Sequence, residues 1–377
     1  MRIGFDVRPF LKEETGVGIY LKNLLFSLSH IDQDNEYFLF SSSLKDRFNA
    51  QKIPPFMKMS FRDFHYPVKL MNFLWYKLGW PKLDHFFKEK LDITHSPTPL
   101  ILPTHGKKVV TVYDLFFMDS PHQVDRETRN TFVRGIKSSL RNADGIITIS
   151  QFTKKQLLEK FSLDPNKVKV IYLGIQHEYW KDISADELEK IKGKYDLPQS
   201  FLLFVGTIEP RKNILNLLNA LKIIHEKHKK IPLVIVGRKG QDYENVLEKA
   251  RVLGLEDWVV FTGYIQEKEL KGLYHLASLF VFPSLYEGFG LPLLEAMASG
   301  LPIVTSRKAA LPEIAMDAAL YFNPEEQEDI AEKILLGLKN ETLRKQLIYK
   351  GKERVGDFNW RKTAEETLNF YLSIIEE

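Results

Sequence analysis

Residues 201–221, FLLFVGTIEPRKNILNLLNAL, decide the fold. An unbroken apolar run stops at Gly206, a short polar loop crosses Pro210, and apolar residues then recur at helical spacing from Asn213. A strand that is apolar at every position, rather than at alternate ones, is buried on both faces, as in a parallel sheet covered by helices. The stretch therefore predicts a strand, a loop at its carboxyl end and a crossover helix.

The same unit recurs on both sides. Downstream lie PLVIVG, WVVFTG, LFVFP, PIVTS and ALYF, with helices expected to start near Asp242, Gln266, Pro292 and Glu325. Upstream lie RIGFDV, YFLF, DITH, VVTVYD, GIITIS and VKVIYL, with helices expected near Val17, Asp125 and Gln151. Two such series in 377 residues predict an α/β protein of two Rossmann-like, doubly wound domains facing a cleft. The polar stretch QHEYWKDISADELEKIKGKYDLPQS separates them, giving domains 1–177 and 178–357. A last helix, over about 358–377, is expected to pack back on the first domain.

Cysteine is absent, which excludes disulfides, thiolate catalysis and thiolate metal sites. The first residues, MRIGFDVRPF, lack the features of a signal peptide, and no apolar run is long enough to span a membrane. A cytoplasmic location, peripheral at the inner membrane face, is expected. The net charge of +4 is uneven: residues 1–177 carry 26 Lys and Arg against 18 Asp and Glu, and residues 178–377 carry 27 against 31. Much of the excess lies in residues 45–90, where ten basic residues face four acidic ones and aromatics are interleaved. That segment reads as a solvated, amphipathic pair of helices, or as a surface for anionic lipid or a diphosphate-linked acceptor. Nucleic acid is not an expected partner, because no recognition motif accompanies the charge.

In open α/β sheets, ligands bind beyond the carboxyl ends of the strands, so the loops there carry the candidates. Gly16 and Gly18 stand where a loop enters a helix, and their backbone can approach a phosphate. Taken alone, a tight turn explains that pair better. Arg211 and Lys212 precede a helix N-terminus, where the dipole disfavours cations, so they need a negative partner. Glu209 can supply one; a diphosphate accounts for both cations.

Residues 284–302, SLYEGFGLPLLEAMASGLP, contain two further carboxylates. Pro292 suits the first helical position and Gly300 the C-terminal end, which puts Glu295 in the first turn. A carboxylate there gains about 0.3–1 kcal/mol from the helix dipole. Glu287 has no such reason to be present. It sits in a loop beside Gly288 and Gly290, where backbone N–H groups and a carboxylate can converge on sugar hydroxyls. Because it lies on a loop, its removal is expected to leave the fold intact.

Together, VGTIEPRKN, FTGYIQEKELKGLYHLASLFVFPSLYEGFGLPLLEAMASGLPIVTS and LPEIAMDAALYFNP, in that order, resemble the retaining nucleotide-sugar glycosyltransferases of family 4, which have the GT-B fold. The TIEPRKN variant is most similar to bacterial mannosyltransferases of surface polysaccharides. The resemblance implies a metal-independent transferase, with no cofactor, moving mannose from GDP-mannose to a growing, lipid-linked glycan. It places the acceptor on domain 1–177 and the donor on domain 178–357. It implies that Glu287, with the backbone around Phe289, Gly290 and Leu291, binds the donor sugar, and that Glu295 holds the ribose. Arg211 and Lys212 would stabilise the leaving diphosphate beside Gly206, with Gly16 and Gly18 contacting it from the first domain. Tyr264 and Ile265 would border the base.

Where many relatives have His-Asp, this chain has Tyr113 and Asp114, which puts the sugar-contacting role of that histidine in question and draws attention to Asp114. His95 is a candidate lining residue for the acceptor, with a hydrogen-bonded structural histidine as an equal alternative. Asp32 and Asp34 have Asp-x-Asp spacing but read as a solvated turn, and His225 and His228 have the wrong spacing for a zinc helix. No metal is expected. The alternative functions are a sugar-nucleotide-binding protein without transfer, or a sugar-nucleotide epimerase of the same fold.

Overall fold

Strand β1 (Arg2–Asp6) is buried from Ile3 onward and lies third in a seven-stranded parallel sheet. The computed structural model describes the chain apart from residues 12–15, 47, 49–52, 57, 125–128, 229 and 377. The chain divides into two units, one of Met1–Gly174 with Asn359–Glu377 and the other of Ile175–Phe358.

The first unit holds β1, β2 (Glu36–Ser42), β3 (Met59–Phe64), β4 (Ile93–Ser96), β5 (Lys107–Val112), β6 (Gly145–Thr148) and β7 (Val168–Val170). Their order is β3-β2-β1-β4-β5-β6-β7, so the winding reverses between β1 and β4. The last helix, Trp360–Glu376, packs on the first, Gly16–Ile31. Its residues Phe370 and Ile374 press on β6, where a Cβ on Gly145 would stand 2.3 Å from the Ile374 side chain. Full burial of each such large apolar side chain contributes about 1.5–3 kcal/mol.

Two expectations for this unit change. Strand β3, sequence MSFRDF, falls inside the segment expected to be a pair of helices, and its register with β2 runs from Tyr37↔Met59 to Ser42↔Phe64. It is an edge strand, half-exposed and charged, so it lacks the unbroken apolar run that marks its neighbours. Helical turns do follow it, at Val68–Phe73, Leu74–Leu78 and Leu83–Phe87. The turn is solvated at Gln33 and Asp34, as expected, but not at Asp32, which is buried and accepts hydrogen bonds from Asn35 and the Tyr37 hydroxyl. The helix start expected near Asp125 lies outside the described residues.

The second unit holds β8 (Leu202–Val205), β9 (Leu233–Val236), β10 (Val259–Gly263), β11 (Leu279–Phe282), β12 (Ile303–Ser306) and β13 (Ala319–Phe322), all parallel. Their order, β10-β9-β8-β11-β12-β13, reverses between β8 and β11. The strands are apolar runs with helices on both faces, as their sequence predicts. A reversal opens a crevice at the carboxyl ends of the two strands that flank it. Here those ends lead into residues 206–213 and 283–290.

Candidate active site

Residues 206–213 leave β8 and enter the Ile214–Lys227 helix through Asn213, held at φ 58°. Asparagine tolerates that left-handed backbone better than most side chains. Its amide also donates to the carbonyls of Pro324 (2.7 Å) and Pro283 (3.2 Å), tying the loops after β13 and β11 to its own. The Leu285 N–H donates to the Arg211 carbonyl at 2.8 Å, and the Ala310 N–H to that of Glu287 at 3.3 Å. In the sequence Asn213 reads only as a helix boundary, and nothing in its local pattern announces the bridge.

These braces bring Arg211, Lys212 and Glu287 together. Arg211 donates to a Glu287 carboxylate oxygen at 3.0 Å, to the Tyr286 carbonyl at 3.2 Å and to Glu209 at 2.9 Å. The buried Lys212 ammonium donates to the other Glu287 oxygen and lies 5.1 Å from the centre of the Phe282 ring. Burial pushes the Glu287 carboxyl up, but the charges of Lys212 and Arg211 outweigh it and hold the group below the usual carboxylate range. Burial, joined by repulsion from Arg211, pushes the Lys212 ammonium down against the attraction of Glu287. The negative partner required by the two cations is thus Glu287 as well as Glu209.

Gly288, Phe289 and Gly290 complete the buried loop. Gly290 has φ 112°, a conformation that side chains rarely adopt, and a Cβ there would meet Leu311 at 3.0 Å. Phe289 turns its ring inward, edge-on to Phe358 at 5.8 Å. The Leu291–Ala298 helix begins directly after Gly290, with Leu291 first and Pro292 second. Glu295 therefore falls in the second turn rather than the first, and the dipole argument for it lapses. Glu295 instead accepts a hydrogen bond from Tyr274 at 2.7 Å, and burial pushes its carboxyl up to about 7. Tyr274, on the Glu267–Leu276 helix, was not among the residues singled out by sequence.

The other candidates are distributed as follows. Gly206 directly follows β8, and Lys212 side-chain carbon lies 3.4 Å from where its Cβ would be. Tyr264 and Ile265 follow β10 at the sheet edge; Tyr264 is exposed with Arg238 stacked 4.8 Å from its ring, and Ile265 is buried. In the first unit, Gly16 and Gly18 begin the helix that carries Tyr20. Tyr20 meets Tyr113 edge-on at 5.4 Å and the His95 ring at 6.5 Å. Tyr113 lies just past β5 and donates to the Pro97 carbonyl at 3.1 Å, while Asp114 accepts from the Phe116 N–H at 3.0 Å. Burial holds the Tyr113 phenol well above its ordinary range.

His95 takes the structural alternative. It is fully buried, its Nε2 lies 2.7 Å from the Thr111 hydroxyl, and its Nδ1 is paired with the Tyr371 hydroxyl of the last helix. Burial pushes its pKa down to about 3, so it stays neutral. It is not exposed to line an acceptor site.

Residues 186–354 match the family described as glycosyl transferases group 1, and residues 15–179 match that described as glycosyltransferase family 4. The chain is 29% identical to O-antigen chain mannosyltransferase B of Escherichia coli, across 98% of this chain and 99% of that protein. Over 63% of its length it is 32% identical to the serotype-specific mannosyltransferase WbdA of Escherichia coli, of which the match spans 30%. Among solved structures, sucrose-phosphate synthase of Thermosynechococcus elongatus is similar with a TM-score of 0.79 at 20% identity, over 100% of this chain and 99% of that one. The Anabaena protein HepE, solved with UDP and glucose, is similar with a TM-score of 0.74 at 16% identity, over 99% of this chain and 100% of that one. With one matched family in each half and these neighbours for its fold, the chain belongs to the group 1 and family 4 glycosyltransferases of GT-B fold.

Proposed function

We propose that this glycosyltransferase transfers mannose, with retention of configuration, from GDP-mannose to a growing, lipid-linked glycan of a surface polysaccharide. The observation that carries the reading is the buried cluster of Glu287, Lys212 and Arg211 at the point where the second sheet reverses. A buried ion cluster stabilises a fold no better than apolar packing of the same volume, so its placement at a ligand-binding position favours a functional role. Mannose as the transferred sugar is supported by the O-antigen mannosyltransferases among the relatives.

In this reading the anomeric carbon–oxygen bond breaks, and the diphosphate takes the electron pair. The acceptor oxygen bonds to the same face of the anomeric carbon, and its proton passes to a phosphate oxygen of the leaving group. Lys212 and Arg211 stabilise the charge that develops on the diphosphate, the role that metal ions fill at other phosphate sites. An ammonium has three donors, so Lys212 can serve a phosphate while it holds Glu287. The Glu287 carboxylate, kept ionised by the two cations, accepts from sugar hydroxyls. The N–H groups of Gly290 and Leu291, at a helix N-terminus, favour the same anionic ligand. Glu295 holds the ribose, and Tyr274 orients it.

Calorimetric titration with GDP-mannose, GDP and UDP-glucose tests the reading. GDP-mannose should bind more tightly than UDP-glucose, and Arg211→Ala with Lys212→Ala should weaken GDP binding strongly. Equal affinity in that double variant would refute the diphosphate role. Binding without turnover on any glycan acceptor would make the chain a sugar-nucleotide-binding protein instead.

A further inference from the structure

We propose that residues 66–80 of the first unit form a docking face for an anionic bilayer surface. Five large apolar side chains in this short segment are exposed: Tyr66, Leu70, Phe73, Leu78 and Trp80, the last three at 55%, 63% and 60%. Single exposed apolar residues are ordinary, but five large ones within fifteen residues on one anchored segment favour an interaction site.

The segment is held rigidly from its other side. Met71 and Trp75 are buried, and Trp75 packs on Phe40 of β2 at 4.9 Å between ring centres. The Trp75 ring N–H donates to the Pro81 carbonyl at 2.9 Å. Beneath it, the buried Arg8 guanidinium lies 4.7 Å from the Trp75 ring centre and donates to Asn72 at 3.0 Å. Arg8 is itself fixed by Asp6 through bonds of 2.6–3.0 Å. The outward side chains are therefore presented by an anchored element, with little further ordering needed on docking.

Charge selects the occupant. Lys69 and Lys77 are exposed within the face, Lys82 follows, and no Asp or Glu occurs between Asp63 and Asp84. A second copy docking through the same face would set lysine against lysine, because a two-fold interface places a patch on itself. An anionic lipid surface satisfies both features: aromatic and aliphatic side chains enter the interface, and lysines pair with headgroups. Among the described residues no helix is long and apolar enough to cross a membrane, so the contact would be peripheral.

Co-sedimentation of the full chain with phosphatidylglycerol vesicles and with phosphatidylcholine vesicles tests the proposal. The chain should sediment with the first and stay in solution with the second. Phe73→Ser with Trp80→Ser should weaken binding roughly tenfold or more, since each removes an apolar side chain from the interface. Lys69→Gln with Lys77→Gln should weaken it about fivefold per lysine at low salt. All four residues are exposed, so circular dichroism should be unchanged, and transfer to a water-soluble acceptor should persist. A chain that ignores phosphatidylglycerol, or variants that sediment like the parent, would overturn the proposal. So would a concentration-dependent dimer in ultracentrifugation that Phe73→Ser with Trp80→Ser abolishes, because the face would then belong to a second copy. Vesicle binding needs neither donor nor acceptor, so its failure leaves the transfer reading untouched.

Discussion

Glu287 is the residue on which the site turns, and the structure changes what its removal should do. Its loop position suggests that alanine would be tolerated, yet Glu287 is the carboxylate opposite the buried Lys212 ammonium. Glu287→Ala leaves that cation in a buried place without its counter-charge, which typically costs about 3–5 kcal/mol. A clear fall in melting temperature is expected, and thermal denaturation checks it. Glu295 behaves differently, because burial raises its carboxyl from 4.5 to about 7. The folded chain then binds a proton that the unfolded chain has already released between those values. Its contribution to stability is complete below 4.5 and is lost as pH rises through about 7. Melting curves at several pH values should show that wild type loses stability across this window relative to Glu295→Gln.

At the scale of elements, the loops matter more than the strands. Asn213 joins three of them, through its left-handed backbone and two hydrogen bonds to proline carbonyls. Asn213→Ala removes both bonds and strains the turn: the Pro283 carbonyl loses this donor, while Asn216 still donates to that of Pro324 at 3.1 Å, so the cost is about 1–3 kcal/mol for the lost hydrogen bonding. Asn213→Gly relieves the strain alone, so its melting temperature should fall between those of wild type and alanine. The strands of the second unit were legible because each is an apolar run bounded by glycine or proline, and burial on both faces demands such runs. Strand β3 was not, because an edge strand can expose Arg62 while pairing through its backbone. The position of Glu295 shifts by one residue, enough to leave the first turn, because Pro292 is equally at home at the second helical position and Gly290 places the start. The pairing of Glu287 with Lys212 joins residues 75 positions apart, and no local pattern carries that contact. Glu287 itself was legible as a candidate because its loop offered no structural reason for a carboxylate.

For the whole molecule, the chain leaves its first unit at Gly174 and returns at Asn359. The second unit is thus one continuous segment, Ile175–Phe358, with its own six-stranded sheet and with Arg211, Lys212, Glu287, Glu295 and Tyr274 all inside it. Expressed alone, this segment should unfold cooperatively and bind GDP. The segment of residues 1–174 should not fold alone, because it lacks the helix that covers β6 and supplies the Tyr371 partner of His95. Calorimetry and circular dichroism on the two fragments distinguish the cases.

The central claim, that the Glu287 cluster performs transfer, is tested most directly by the steady-state rate of mannose transfer from GDP-mannose in Glu287→Gln and wild type. Glutamine keeps the shape of the side chain, and circular dichroism reports whether the variant is folded. A folded variant should lose roughly 10²–10³-fold in kcat, the usual effect of removing one preorganised electrostatic group. A folded Glu287→Gln protein that transfers mannose at the wild-type rate would contradict the account.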